Sequence, residues 1–124
     1  MSAEETVNEF IARVVKMDLD GACELVTADV EYDNVPMGKN LGPDALKGFL
    51  GAMAGGVDEV QFVVHRQTAT GDVVMNERTD RFLVKGEWYD LPVAGVFELR
   101  DGKIALWRDY FDMAMINAML GALA

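Results

Sequence analysis

Beyond Val57 the hydrophobic period of this chain changes to two, and that change limits the folds open to it. The pattern predicts strands over 57–70, 72–85, 87–99 and 103–112, separated by turns at Gly71-Asp72, Gly86 and Asp101-Gly102. Connections this short join antiparallel neighbours only. A run of long hairpins follows, with Asp101-Gly102 the strongest turn signal among them.

Upstream the period is helical. Ser2 with Glu5 is a capping-box signature, and Val7, Phe10, Ile11, Val14 and Val15 then form one apolar stripe. Asp18 is the expected start of a short second helix reaching Ala28, with Leu19, Ala22, Cys23 and Val26 inward. A strand is expected over Val30–Val35, stopped by Pro36, and a loop over Met37–Leu41. Gly42-Pro43-Asp44 opens a third helix with proline in its first turn. Leu46, Phe49, Leu50 and Met53 face inward from it, and Gly55-Gly56 ends it. Met113–Leu123 is expected to be a short apolar helix docked on the sheet or on a partner. Helices followed by hairpins predict an α+β fold: a curved, mostly antiparallel sheet with N-terminal helices enclosing a deep pocket. At 124 residues the chain makes a single domain over 1–124.

Composition removes several functions. A net charge of −10 opposes binding to nucleic acid or to an anionic membrane surface. No apolar run approaches the length of a membrane span. Cys23 is the single cysteine, so no intrachain disulfide forms, and the acidic start Met1–Glu5 lacks the pattern of a signal peptide; a cytoplasmic protein is expected. His65 is the single histidine, which excludes metal sites built on several histidines. No phosphate-binding glycine loop, nucleophile elbow or dinucleotide fingerprint is present.

Against this ordinary background, a few charges face the wrong way. Alternation along the second strand puts Asn76, Arg78, Asp80 and Phe82 on the face shared by Val74 and Val84. In the last strand Asp109 shares its side with Trp107 and Phe111, and earlier Tyr32 and Asn34 share theirs with Val30. Tyr89, Leu91, Val93 and Phe97 supply an apolar wall. Charges aimed into apolar surroundings cost free energy unless paired, and that cost is commonly tolerated where chemistry is done. Two aspartates bracketing one guanidinium suit general acid–base catalysis, because burial and mutual repulsion raise a carboxyl pKa while the arginine lowers it. Tyr32 and Asn34 have the groups to hold a water. Taken singly, Arg-x-Asp reads as a cross-strand ion pair and Tyr-x-Asn as a turn-side pair; their common facing makes the case. On these residues alone an isomerase resting on Tyr32 and Asp80, a cyclase-like enzyme, or a non-catalytic small-molecule-binding module stays open.

The strings Tyr32-Asp33-Asn34-Val35-Pro36, Asn76-Glu77-Arg78-Thr79-Asp80, Tyr89 to Phe97 and Trp107-Arg108-Asp109-Tyr110-Phe111-Asp112 resemble the limonene-1,2-epoxide hydrolases. The resemblance runs over most of the chain and is best from Glu31 to Asp112. It implies the NTF2-like cone, shared with SnoaL-like polyketide cyclases and ketosteroid isomerases, and a homodimer. It also implies hydrolysis of a hydrophobic, terpenoid or lipid-like epoxide to a vicinal diol in one step, with no metal or organic cofactor. Asp109 would be the general base for a water held also by Tyr32 and Asn34. Asp80 would be the general acid, with Arg78 fixing both carboxyl groups. Phe82, Leu91, Val93, Trp107 and Phe111 would contact substrate.

Overall fold

The computed structural model describes residues 1–124. Its elements run α1 (Ala3–Val15), α2 (Leu19–Cys23), β1 (Val26–Asn34), β2 (Gly38–Leu41), α3 (Pro43–Ala54), β3 (Glu59–Thr70), β4 (Val73–Val84), β5 (Glu87–Arg100), β6 (Lys103–Tyr110) and α4 (Met113–Leu123). The six strands form one open sheet in the order β2-β1-β6-β5-β4-β3. The hairpins β3–β4, β4–β5 and β5–β6 are antiparallel as the turns require. Two of these turns carry positive φ at both central residues, Lys85-Gly86 (51° and 80°) and Asp101-Gly102 (52° and 79°). Such turns match the twist of paired strands, so Gly86 is a stronger signal than a lone glycine suggests.

The helices assemble by local chemistry and then by burial. At the start of α1 the Ser2 hydroxyl accepts from the Glu5 amide at 3.1 Å and the Glu5 carboxylate accepts from the Ser2 amide at 2.9 Å. The α1 stripe Val7, Phe10, Ile11 and Val14 then packs on Val74, Phe97, Ile104 and Trp107 of the sheet. Phe10 is fully buried, its ring edge-on to Trp107 with centroids 5.2 Å apart. Burial of each such side chain stabilises the fold by about 1.5–3 kcal/mol. A second cluster forms at the other end of the sheet, where Ile116 and Met119 of α4 cover Val84, Leu91 and Val93. The apolar C-terminal helix therefore docks on its own sheet.

Three expectations give way in the first third of the chain. α2 ends at Cys23 rather than Ala28, and β1 starts at Val26 rather than Val30. The β-branched pair Val26-Thr27 favours strand, and the Leu25 carbonyl already accepts from the Ile104 amide at 2.8 Å. The segment expected as a loop contains β2, which pairs antiparallel with the end of β1 from Asn34↔Gly38 to Glu31↔Leu41. Its polar sequence hid it, because the backbone of β1 supplies the partner. β1 joins β6 in parallel, so the sheet is mixed and, as expected, mostly antiparallel.

Candidate active site

That parallel junction brings the polar strings together. β1 and β6 run side by side with Tyr32 opposite Trp107 and Asn34 opposite Asp109. The register is tied on the outer face, where Arg108 donates to Asp33 at 2.8 Å and to Glu31 at 2.9 Å. On the inner face Tyr32 and Asn34 come to lie beside Asp109. On β4 the alternation holds as expected: Val74, Asn76, Arg78, Asp80 and Val84 are buried, while Met75 and Glu77 are exposed.

Arg78, 1% exposed, is the centre of the cluster. Its Nε donates to Asp80 Oδ1 at 2.9 Å and its Nη2 to Asp80 Oδ2 at 3.0 Å, a side-on, two-point pair. The same Nη2 donates to Asp109 Oδ2 at 2.8 Å, so one nitrogen bridges the two carboxyl groups. Nη1 donates to Asn76 Oδ1 at 3.1 Å. Asn76 in turn donates to Gln67, whose amide reaches Asn8 and Glu4 on α1. The guanidinium also lies over the ring of Phe62 at 4.9 Å. Its planar fork is what allows two carboxyl groups to be held in fixed orientation. The other oxygen of Asp109 accepts from the Trp107 indole at 2.9 Å.

Burial raises the Asp80 pKa above its ordinary 3.8 to about 6, with the Arg78 charge opposing the rise and the Asp109 charge adding to it. Burial and the same negative charge push the Tyr32 phenol upward, so it stays a neutral hydroxyl. The Arg78 guanidinium is raised by Asp109 and Asp80 against the desolvation that would lower it, and stays charged. Asp80 therefore keeps a proton closer to neutrality than an exposed aspartate does. Because its folded pKa exceeds its unfolded one, the stability this proton confers is complete below pH 3.8 and is lost as pH rises to about 6. Asp80→Asn removes this titration. On raising pH from about 4 to about 7, thermal melts should shift in favour of the variant relative to wild type. A pH-independent difference would show that Asp80 does not titrate in this window.

The cluster borders a cavity of about 60 Å³ whose walls are otherwise apolar. Tyr32, Asn34, Asp80 and Asp109 line it, and so do Phe82, Leu91, Val93 and Phe111 of the expected substrate wall. Asn34 Nδ2 is buried there with no hydrogen-bond partner, a donor free for a water or a substrate oxygen. Trp107 does not line the cavity. It lies in the core behind Asp109, stacked on Tyr32 with ring centroids 4.2 Å apart, and touches the site through its indole N–H. Met37, Phe49, Leu50, Met53, Phe62 and Ile116 complete the wall. The inward stripe of α3 was a signal for Phe49, Leu50 and Met53; β3 and α4 offered none for Phe62 and Ile116. The sequence carries no signal for the role of Gly95, which sits on β5 between Asn76 and Asp109, where its missing side chain makes room for the guanidinium.

Residues 1–121 match the model of the limonene-1,2-epoxide hydrolase catalytic domain. The chain belongs to the limonene-1,2-epoxide hydrolase family. It is an epoxide hydrolase of that type, 35% identical over 107 residues to epoxide hydrolase EphG of Mycobacterium tuberculosis, covering 86% of this chain and 71% of that protein. A solved structure of a limonene-epoxide-hydrolase-like epoxide hydrolase from M. tuberculosis superposes with a TM-score of 0.82 at 34% identity, covering 98% of this chain and 91% of the other. A crystal structure of an NTF2-like protein from Burkholderia pseudomallei K96243 gives a TM-score of 0.82 at 23% identity, over 94% and 97% of the two chains, and shares the fold. Within the family fold, no helix of this chain is long and apolar enough to cross a membrane, and no group of three or more His, Cys, Asp or Glu residues is placed to hold a metal ion.

Proposed function

We propose that this hydrolase adds water to a hydrophobic epoxide in one step, giving a vicinal diol. The observation that carries the reading is the pair of buried carboxyl groups bridged by Arg78 at the edge of an apolar cavity. A water held by Asn34, Tyr32 and Asp109 attacks one ring carbon, and Asp109 takes its proton as general base. The strained carbon–oxygen bond breaks, and Asp80 as general acid gives its proton to the departing oxygen. Atoms balance as epoxide plus water to diol, and proton exchange with solvent returns Asp80 and Asp109 to their starting states. Arg78 keeps both carboxyl groups oriented and touches neither the water nor the ring. Chemistry of this kind requires no metal or organic cofactor. The Arg78 bridge between the two carboxyl groups argues against an isomerase that works with a lone base.

The test is a single turnover in oxygen-18 water with limonene oxide, styrene oxide and a long-chain epoxide. Label in the diol is the expected result. A diol in which neither oxygen is labelled would mean attack by a protein carboxylate, and would overturn direct hydrolysis.

A second copy of the chain is the proposed partner. Val63, Met75 and Tyr110 stand 39–50% exposed on the outward face of the sheet, a face no helix covers. Light scattering should give the mass of a dimer; a monomer at working concentration would refute it. The single Cys23 suits a reducing cytoplasm, which cell fractionation would check.

A further inference from the structure

Next to the catalytic cavity lies a second one, a crevice of about 40 Å³ with eight lining residues, all of them hydrophobic. Leu50, Met53, Phe62 and Phe82 wall both. On the far side, Val14, Met17, Ala54 and Val60 close the crevice between the end of α1, the end of α3 and the start of β3. We propose that this crevice is a second substrate subsite, which receives an uncharged hydrocarbon tail of an epoxide whose ring lies at Asp80 and Asp109. The proposal rests on the hydrolase reading above and gives the substrate a shape: a reactive head and an apolar tail that passes the shared wall.

Small-molecule pockets commonly measure about 300–1,000 Å³, and the catalytic cavity has about 60 Å³. A substrate much larger than the ring itself must displace a wall or extend out of the cavity. The wall shared with the crevice is built to yield. Met53 is unbranched and adapts its shape readily. Leu46 is the single fully covered residue of α3, so the half of the helix bearing Leu50 and Met53 is lightly anchored. Gly48 and Gly51 lie inside α3, and an added Cβ at either would meet nothing within 4 Å. These glycines therefore serve no close packing, while each lowers helix stability by about 1 kcal/mol relative to alanine. The crevice has no polar lining residue, so a charged or hydroxylated tail would lose its hydration there without return.

Ala54 and Val60 line the crevice and not the catalytic cavity, so Ala54→Leu and Val60→Phe fill the subsite from two different elements. The probes are the terminal oxides of hexene, decene and tetradecene. Each buried methylene can add up to about fourfold in affinity. Wild type should therefore favour decene oxide over hexene oxide in kcat/KM by about tenfold or more. Each variant, once a thermal melt shows it folded, should shrink that ratio by about tenfold. If wild type hydrolyses hexene oxide with no gain for the longer chains, the subsite is wrong and the hydrolase reading stands. The subsite is equally refuted if a folded variant of either kind keeps the wild-type ratio, since the tail then leaves between Met37, Phe111 and Ile116. No diol from any oxide would overturn the hydrolase reading and the subsite with it.

Discussion

Asp109→Asn is expected to lower kcat on any accepted epoxide by about a thousandfold, within the range that general acid–base catalysis contributes. The amide cannot take the proton of the attacking water, yet it fills the same space. Both Asp109 oxygens accept in the native protein, one from Trp107 and one from Arg78. An amide offers one acceptor, so one of these donors loses its partner at a cost of about 1–3 kcal/mol. The variant should thus melt at lower temperature but fold, and circular dichroism would separate lost chemistry from lost structure. Asp80→Asn should fall by a similar factor, because the Tyr32 hydroxyl, the other O–H at the cavity, is held by burial as a weaker acid than an ordinary phenol. The two losses should not add in the double variant, since acid and base act in the same step. A folded Asp109→Asn enzyme with near-wild-type turnover would remove Asp109 from the role of base.

Much of this geometry is legible in the sequence. The β4 alternation was readable because Val74 and Val84 fix the parity at both ends, leaving Arg78 and Asp80 no other face. The Asp109 side was readable from Trp107 and Phe111 in the same way. What alternation could not supply was distance. Tyr32 and Asn34 reach Asp109 because β1 lies parallel to β6, and parity within one strand contains no information about which strand is its neighbour. β2 was missed for a related reason: Gly38–Leu41 is held by backbone bonds to β1 and has no buried residue. The family resemblance implies a substrate contact for Trp107, and its facing beside Asp109 is compatible with one. The sheet instead places it one layer deeper, where Tyr32, Phe10 and Phe97 surround its ring.

Gly95→Ala should be nearly as damaging as loss of a carboxyl group, although the change adds one methyl to a strand. A Cβ built at Gly95 falls 2.4 Å from Arg78 Nη1, 2.8 Å from Asn76 Oδ1 and 3.0 Å from Asp109 Oδ1. All three belong to the hydrogen-bonded cluster, and Arg78 is enclosed on every side, so no flexible chain end is free to swing away. The guanidinium must move, and the two carboxyl groups it bridges must move with it. Displacement of catalytic groups by about 1 Å costs on the order of a hundredfold in rate, and overpacking of a filled interior costs about 1–3 kcal/mol. At a strand site with room, the same substitution would stabilise by about 0.4–1 kcal/mol through the unfolded chain, so the sign of the stability change is itself diagnostic. The pH profile distinguishes positioning from simple loosening. In wild type, kcat/KM should decline above about pH 6 as Asp80 loses its proton. With Arg78 pushed off its side-on contact, the guanidinium lowers the Asp80 pKa less, and the decline should begin at higher pH. A Gly95→Ala enzyme that is more stable than wild type and equally active would show that the cluster does not depend on this gap.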